Sequence, residues 1–203
     1  MSLFFETVKY QKGEFFLMDY HSERLNRTRF EKLGLSNSIN PTDFPEKLPE
    51  GDGLYRCRID YDKNITKVTF TPYQPAVHQK VLLKDCGNYN YSYKYTDRTF
   101  LNDAVAETEA DDVIFLKEGM LTDATYANLA FFDGVNWFTP KSYLLNGVKR
   151  QFLIDSGFLK VKEISKSDLT QYRKIAFINA MRDFELVYTF SFQNDEIHLI
   201  LEQ

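Results

Sequence analysis

Residues 121–150 read LTDATYANLAFFDGVNWFTPKSYLLNGVKR, and this stretch decides the predicted fold. The runs at 129–132 and 137–138 are short and rich in residues that favour strands, and the Asp-Gly pair at 133–134 is a turn signal between them. The Asn-Gly pair at 146–147 precedes a segment with helical spacing. The block therefore predicts a hairpin followed by a helix that begins at a glycine.

The residues on either side of this block predict more strands of the same sheet, in an α/β (α+β) arrangement. A helix is predicted from about residue 100 to 105, and Thr96 or Asp97 is the candidate for its cap. We expect further strands at 81–83, 113–116, 161–164, 175–178, 186–192 and 197–201, and a short helix at 167–172.

The first part of the chain predicts a smaller unit of the same kind. Ser22 is expected to cap the start of a helix, and Gly34 is expected to end it. Pro72 and Pro75 mark a connector. We expect strands at 4–10, 14–18, 54–60 and 66–71, and two domains, a small α/β domain over 1–78 and a larger α/β domain over 79–203.

The composition excludes several classes of function. The formal net charge is −4 and the pI is near 5.5, which argues against a nucleic-acid-binding protein. No apolar run approaches the roughly 18 residues of a membrane span, and the N-terminal residues lack the apolar core of a signal peptide. Cys57 and Cys86 are too few for a disulfide framework, so we expect a cytoplasmic protein with reduced thiols.

Lys94 is the first candidate for chemistry. It lies among tyrosines near the end of a strand-like run at 89–95, just ahead of the predicted helix. A lysine that aromatic neighbours withdraw from water has a lowered pKa and a more nucleophilic amine. On the local sequence alone, an ordinary surface lysine is the alternative.

Two predicted helix starts carry groups that bind anions. The amides after Gly147 are suited to a phosphate, although a glycine there is also compatible with simple capping. Arg24 follows His21 at another helix start and is suited to a phosphate or to solvent. His78 and His198 are isolated, so we expect no metal site. The chain also lacks a Walker loop, a dinucleotide fingerprint and a nucleophile elbow.

Six segments follow one another in a specific order. They are FET at 5–7, HSERL at 21–25, Lys94 with DR at 97–98, LTDATYANL at 121–129, TP at 139–140 with LNGVKR at 145–150, and FINAM at 177–181. Together they resemble the class IV (fold-type IV) enzymes that use pyridoxal 5′-phosphate (PLP). That family includes branched-chain and D-amino-acid aminotransferases and aminodeoxychorismate lyases.

The resemblance implies a role for each matched residue. Lys94 would bind the cofactor covalently and then move protons as general base and acid. Asp123 would face the ring nitrogen of PLP, and Arg24 would contact its phosphate. Thr7 lies where the chain is most similar to the lyases and is assigned to the catalytic group. The remaining phosphate-binding residues would be Gly147, Val148, Lys149, Ala180 and Met181.

The same resemblance implies a fold and an assembly. We expect a two-domain fold-type IV PLP enzyme, similar to D-amino-acid aminotransferase, with the cofactor in the cleft between the domains and a homodimer as the assembly. The strands that the family has upstream of Phe-Glu-Thr are missing, which predicts a shortened N-terminal domain. Asp123 stands where the family usually has glutamate, and Lys149 stands where it usually has threonine.

Three functions stay open at this point. Thr7 and the segments at 147–151 and 179–181 are closer to aminodeoxychorismate lyases, which release pyruvate and leave 4-aminobenzoate, a folate precursor. An aminotransferase of a branched-chain or D-amino acid is the alternative, and an inactive PLP-binding homologue is the third. Arg56 and Arg58 share one face of a predicted strand. One of them is a candidate for the substrate's carboxylate, and a pair of surface arginines is the alternative.

Overall fold

The computed structural model of the chain describes residues 3–202 and divides into two compact units. The first comprises Met1–Pro75 with Tyr93–Asp97, and the second comprises Ala76–Ser92 with Arg98–Gln203. The sequence placed Lys94 in the domain 79–203, whereas the structure groups it with the first unit, because its segment is hydrogen-bonded to an N-terminal strand. The limits 1–78 and 79–203 of two folding domains stay a prediction.

The first unit is built on an antiparallel sheet and one helix. Its elements are β1 (Phe4–Gln11), β2 (Glu14–Phe15), α1 (Met18–Leu33), β3 (Leu54–Tyr61) and β4 (Ile65–Pro72). The strands are hydrogen-bonded in the order β2-β1-β3-β4. Lys12 and Gly13 both have positive φ, as a two-residue hairpin turn between β1 and β2 requires. All four predicted strands are present, and the second is shorter than predicted.

Helix α1 begins earlier than the sequence predicts. Met18 is its first residue, Leu17 adopts a left-handed conformation just before it, and Ser22 lies inside the helix, so the prediction of Ser22 as the cap is wrong. The packing of a buried helix face outweighs the capping preference of one serine. The predicted end is confirmed, because Gly34 is left-handed and its amide donates to the Phe30 carbonyl.

The two faces of β1 have different surroundings. Phe4 packs with Leu25 of α1, and Val8 packs with Ile59 of β3 in the core of this unit. Side chains alternate along a strand, so the even-numbered residues of β1 form its core face. The odd-numbered residues lie on the opposite face.

The tyrosine-rich run at 89–95 is not a strand, and that prediction is wrong. One isolated bridge pairs Tyr95 with Phe4, a bend lies at Ser92 and Tyr93, and the other residues of the run have no regular secondary structure. The rings pack on neighbouring aromatic rings instead. Tyr95 lies 5.3 Å from Phe4 and Tyr89 lies 4.0 Å from Phe100, measured between ring centres. The strand preference of tyrosine reflects such packing as much as it reflects the backbone.

The second unit is built on a nine-stranded sheet. Its strands are β5 (Lys80–Asp85), β6 (Asp112–Lys117), β7 (Met120–Ala124), β8 (Asn128–Phe132), β9 (Trp137–Pro140), β10 (Leu159–Lys162), β11 (Lys174–Ile178), β12 (Val187–Gln193) and β13 (Glu196–Leu201). They are hydrogen-bonded in the order β10-β9-β8-β11-β12-β13-β5-β6-β7. Strand β7 also pairs with β8, so the sheet closes on itself. Strand β7 is not predicted by the sequence pattern.

The second unit also contains the helices α2 (Thr99–Ala106) and α3 (Val148–Asp155) and a short 3-10 helix (Lys166–Gln171). Arg98 precedes α2, so neither Thr96 nor Asp97 is its cap and that prediction is wrong. The Thr96 amide donates to the Leu3 carbonyl instead. Many strands with few helices confirm the predicted α+β class. Among the helices of residues 3–202, none is both long enough and apolar enough to cross a membrane.

Candidate active site

Lys94 is fixed beside the start of β1 through its own backbone. The Phe5 amide donates a hydrogen bond to the Lys94 carbonyl at 3.0 Å. The Lys94 side chain is half-buried, and its Nζ lies 4.8 Å from the centre of the Phe5 ring. The structure therefore places a primary amine against an aromatic ring, on a segment that is bound to the sheet.

Glu6 in β1 binds two residues of α1. Arg24 donates to its carboxylate through Nε, at 2.8 Å from Oε1, and through Nη2, at 2.5 Å from Oε2. Nδ1 of His21 lies 2.7 Å from Oε2. All three side chains are buried. A paired arginine of this kind has a fixed guanidinium plane, so the predicted phosphate-binding residue is held in one orientation.

The charges around Glu6 decide the protonation of this group. Burial by itself would raise the pKa of Glu6, but the Arg24 guanidinium and the His21 ring outweigh burial and lower it to about 2. Burial lowers the pKa of His21, so its ring is neutral at pH 7. Because Glu6 is ionised, Nδ1 of His21 carries the proton and donates it. Nε2 is then a buried acceptor, and the described residues offer it no donor.

Thr7 lies on the opposite face of β1 and is paired with Arg58 of β3. Cross-strand partners share a face, so these two side chains are neighbours. The Cζ atom of Arg58 lies 3.9 Å from the centre of the Phe5 ring, which Nζ of Lys94 also contacts. Arg56 belongs to the same strand and is exposed. Of these two arginines, Arg58 is the one that contacts the same aromatic ring as the candidate lysine.

Asp123 is a buried carboxylate near the end of β7. Its Oδ1 accepts a hydrogen bond from Nδ2 of Asn128 at 2.7 Å. Its Oδ2 accepts from the amides of Leu144 and Leu145 at 2.9 and 2.8 Å. Burial raises the pKa of Asp123 to about 6, although these hydrogen bonds act to lower it. A carboxylate oxygen accepts two hydrogen bonds, so Oδ1 has capacity for one more donor.

Asn128 connects Asp123 to the segment before α3. Its Nδ2 also donates to the Leu145 carbonyl at 2.9 Å. A Cβ atom on Gly147 would lie 2.0 Å from Oδ1 of Asn128, so a residue with a side chain does not fit there unless Asn128 moves. The glycine thus has a packing role beyond capping, because it allows the start of α3 to approach Asn128.

Helix α3 begins directly after Gly147, which has no side chain of its own to cap the helix. The first amides of an α-helix have no acceptor within the helix, and they attract anions. The amides of Val148 and Lys149 are in this position. The structure thus supplies the kind of helix start that the sequence analysis assigned to a phosphate.

Two other residues of the predicted phosphate site already have partners. Nζ of Lys149 lies 3.2 Å from Oδ1 of Asp183. The Met181 amide donates to Oδ1 of Asn179 at 2.9 Å, within the turn that also contains Ala180. Binding of a phosphate by the Met181 amide would require this hydrogen bond to open or to be shared.

Asp112 and Arg98 hold the loop that follows Asp123, and the sequence analysis gave neither of them a role. Asp112, the first residue of β6, accepts a hydrogen bond from the Thr125 hydroxyl at 2.5 Å. Nη2 of Arg98 donates to the Thr125 carbonyl at 2.5 Å. Burial raises the pKa of Asp112 to about 6. These contacts fix the connection between β7 and β8, and with it the approach of Asp123 to Asn128.

Glu6 and Asn128 lie inside matched segments, but their positions in the sequence predict no function for them. A signal was present, because each is a polar residue within a strand-forming run. A buried polar group requires a partner. Their partners, Arg24 and Asp123, are distant in sequence or separated by a turn, so only the fold identifies them.

The donor groups fit PLP, the cofactor that the resemblance implies. The primary amine of Lys94 suits its aldehyde, the remaining capacity of Asp123 suits its ring nitrogen, and the backbone amides at the start of α3 suit its phosphate. Lys94 belongs to the first unit, and Asp123 and Gly147 belong to the second. Within residues 3–202, no group of three or more His, Cys, Asp or Glu residues is arranged so that it could hold a metal ion.

Comparison with known proteins identifies the family. The family model for class IV aminotransferases matches residues 3–185. An uncharacterized protein of Haemophilus influenzae is 32% identical over 183 residues, with 87% of this chain and 96% of that protein covered. The chain therefore belongs to the class IV aminotransferase family.

Two other similar proteins have names that describe a reaction. The crystal structure of a putative 4-amino-4-deoxychorismate lyase from Haemophilus somnus 129pt matches with a TM-score of 0.76 and 30% identity, with 89% of this chain and 97% of that chain covered. A "putative aminodeoxychorismate lyase" of Schizosaccharomyces pombe is 26% identical over 200 residues, with 88% and 85% covered. These likenesses confirm the predicted fold-type IV class and the resemblance to aminodeoxychorismate lyases.

Proposed function

We propose that the protein is a PLP-dependent lyase of folate biosynthesis, which releases pyruvate from 4-amino-4-deoxychorismate and leaves 4-aminobenzoate. Family membership and the likeness to two proteins named for this reaction support the proposal. The observation that carries it is the buried Asp123 carboxylate, whose Oδ1 accepts one hydrogen bond and has capacity for a ring N–H.

Several of the residues that the resemblance assigns would hold the cofactor. Lys94 would bind it covalently through Nζ, and Asp123 would accept a hydrogen bond from the ring nitrogen. Arg24, oriented by Glu6, would bind the phosphate. The other phosphate-binding residues would be those of the α3 start and of the 179–181 turn, namely Gly147, Val148, Lys149, Ala180 and Met181.

When bound, the cofactor supplies an electron sink for the electron pair that remains after a proton leaves the substrate. Nζ of Lys94 would take that proton from the carbon that carries the substrate's amino group, and Lys94 would later return a proton as general acid. The Thr7 hydroxyl, which lies on the same strand face as Phe5, would hydrogen-bond the substrate. Asp123 in its ionised form would hold a proton on the ring nitrogen.

An aminotransferase of a branched-chain or D-amino acid is the alternative, and the name of the matching family favours it. It would use the same residues. Its turnover would require a keto acid as amino acceptor, whereas the lyase reaction requires none.

We also propose that the protein acts in the cytoplasm as a homodimer. The resemblance to the family supports the dimer, and the two buried free cysteines are consistent with a reducing compartment. Sedimentation of the purified protein would test the assembly, because a dimer has twice the chain mass of 23.9 kDa.

A spectrum followed by an assay tests the proposed function. The purified protein should take up PLP and turn yellow, and borohydride should bleach the absorption band. It should then release pyruvate from aminodeoxychorismate without a keto acid. A colourless protein that takes up no PLP contradicts the cofactor assignment. Keto-acid-dependent amino transfer without pyruvate release supports the alternative, and PLP binding without either reaction supports an inactive homologue.

Replacing Asp123 with asparagine should weaken PLP binding about ten- to a hundredfold at pH 8, the usual effect of losing a hydrogen bond to a charged group. Asparagine keeps the shape of the side chain but cannot neutralise a protonated ring. The pKa of Asp123 is about 6, so the wild-type carboxylate loses its charge as the pH falls through that value. The difference in PLP affinity between the wild type and Asp123→Asn should therefore become smaller below pH 6.

Titration of the cofactor-free proteins with PLP at pH 8 and pH 5 measures this effect. Asp155→Asn is the matched control, because Asp155 is an exposed aspartate of the same unit. Equal affinities of the wild type and Asp123→Asn at pH 8 would show that Asp123 does not face the ring nitrogen.

A further inference from the structure

Two cations share one aromatic ring on the face of β1 that lies opposite α1. Cζ of Arg58 lies 3.9 Å and Nζ of Lys94 lies 4.8 Å from the centre of the Phe5 ring. The two atoms are therefore at most about 9 Å apart, the sum of these distances. Thr7 occupies the same face and is paired with Arg58 in the ladder. An anion that reaches Lys94 thus meets a second positive charge close by.

The Arg58 guanidinium is fixed in orientation, and part of it is uncommitted. Nε and Nη2 donate to Oδ1 of Asp60 at 3.0 and 2.7 Å, which uses one edge of the group. The side chains of Arg58 and Asp60 are 35% and 14% exposed. Within residues 3–202, no acceptor is paired with Nη1 of Arg58, whose two N–H groups are suited to a carboxylate.

We propose that Arg58 binds a carboxylate of the substrate and selects anionic substrates over their neutral amides. This inference rests on the proposed assignment of Lys94 as the reacting lysine. A separation of at most about 9 Å can be bridged by a hydrogen bond of about 2.8 Å at each end and the few bonds that separate an amino-bearing carbon from a carboxylate. Asp60 and the Phe5 ring hold the guanidinium in place, so little side-chain entropy is lost when a ligand binds.

Arg56 gives the matched comparison. It lies two residues from Arg58 in β3 and faces the same side of the sheet. Its side chain is exposed, and it is paired with Lys9 in the ladder, further along β1 from Phe5. The two arginines thus carry the same charge on the same face, but only Arg58 contacts the ring that Lys94 contacts.

A pair of probes tests the proposal without turnover. Calorimetry of the PLP-free protein with 4-aminobenzoate and 4-aminobenzamide compares a carboxylate with its neutral amide. The wild type should prefer the carboxylate at least about tenfold, and Arg58→Met should lose this preference, because a hydrogen bond to a charged group is removed. Arg58→Lys keeps the charge and should retain part of the preference, and Arg56→Met should retain all of it.

Turnover of the PLP-loaded protein gives a second readout. Arg58→Met should raise KM at least about tenfold and leave kcat within about threefold, because the lost contact is made equally in the ground state and the transition state. Thermal unfolding of each variant shows whether it is folded. Methionine keeps an apolar stem against Phe5, so we expect Arg58→Met to fold.

Two outcomes would overturn the inference. One is a wild type that binds the amide as tightly as the carboxylate, and the other is an Arg58→Met protein whose preference and KM are unchanged. The spectrum with PLP tests Lys94 separately. If the protein takes up PLP and Arg58→Met leaves the preference and KM unchanged, only this inference is rejected. If the protein takes up no PLP, the proposed function is rejected, and the carboxylate preference of the PLP-free protein still tests whether Arg58 binds a carboxylate.

Discussion

Replacing Lys94 with alanine should reduce turnover at least about ten-thousandfold, since the change removes a general base as well as the amine that binds the cofactor. The absorption band that borohydride bleaches should disappear. The substitution leaves the fold intact, because β1 holds this segment through the Lys94 carbonyl, which alanine retains. Absorption spectra and pyruvate release, measured on the same preparations, report the two effects.

Lys67→Ala is the control for this experiment. Lys67 is an exposed lysine of β4 in the same unit, so its loss should change neither the spectrum nor the turnover. If the Lys94→Ala protein kept its absorption band, another lysine would hold the cofactor and the assignment of the site would fail.

Replacing Glu6 with glutamine should lower the free energy of unfolding by about 3 kcal/mol at pH 7. The pKa of Glu6 falls from its ordinary 4.5 to about 2 in the folded protein, and each unit is worth about 1.4 kcal/mol. The side chain is fully buried, so solvent screens little of this interaction. Glutamine keeps the volume but leaves the Arg24 guanidinium buried without its carboxylate, which is costly.

The effect of this substitution should depend on pH in a defined direction. The pKa of Glu6 is lowered by folding, so its contribution is fully present above about 4.5 and is lost as the pH falls towards 2. The difference in the free energy of unfolding between the wild type and Glu6→Gln should therefore decrease as the pH falls from about 4.5 towards 2. Urea unfolding of both proteins at several pH values between 3 and 7 measures it.

Glu14→Gln is the matched control for the stability experiment. Glu14 is an exposed residue of β2, and its replacement should change the free energy of unfolding by less than about 0.5 kcal/mol. A difference between the wild type and Glu6→Gln that stays constant from pH 7 to pH 3 would show that the charge of Glu6 does not stabilise the fold.

Much of the sheet could be predicted because its strands are marked locally. The strands β8 and β9 are short apolar runs on either side of an Asp-Gly turn, and this local pattern is sufficient to predict both strands. Strand β7 was missed, because its residues 120–124 include Thr122 and Asp123, which are rarely buried. They are buried here because β6 and β8 pair with the strand on both sides.

Local signals misled where a distant contact decided the structure. Ser22 is a good helix cap by preference, but the helix starts at Met18 and buries His21 and Arg24 against Glu6. The tyrosine run predicts a strand, but in the structure the Phe5 amide of β1 donates to the Lys94 carbonyl and the Thr96 amide donates to the Leu3 carbonyl, without a regular ladder. In both cases the free energy of tertiary contacts exceeded a local preference of about 1 kcal/mol or less.

By itself, the sequence determined the class of fold, the family resemblance and the residues that merit attention, because strand patterning and motif order are local properties of a chain. Only the tertiary structure decided that Glu6 holds Arg24, that Asn128 requires Gly147, and that Arg58 shares a ring with Lys94. Each of these contacts joins segments that are distant in sequence. Packing and buried charge depend on which side chains meet in space, and one sequence read along its length does not contain that information.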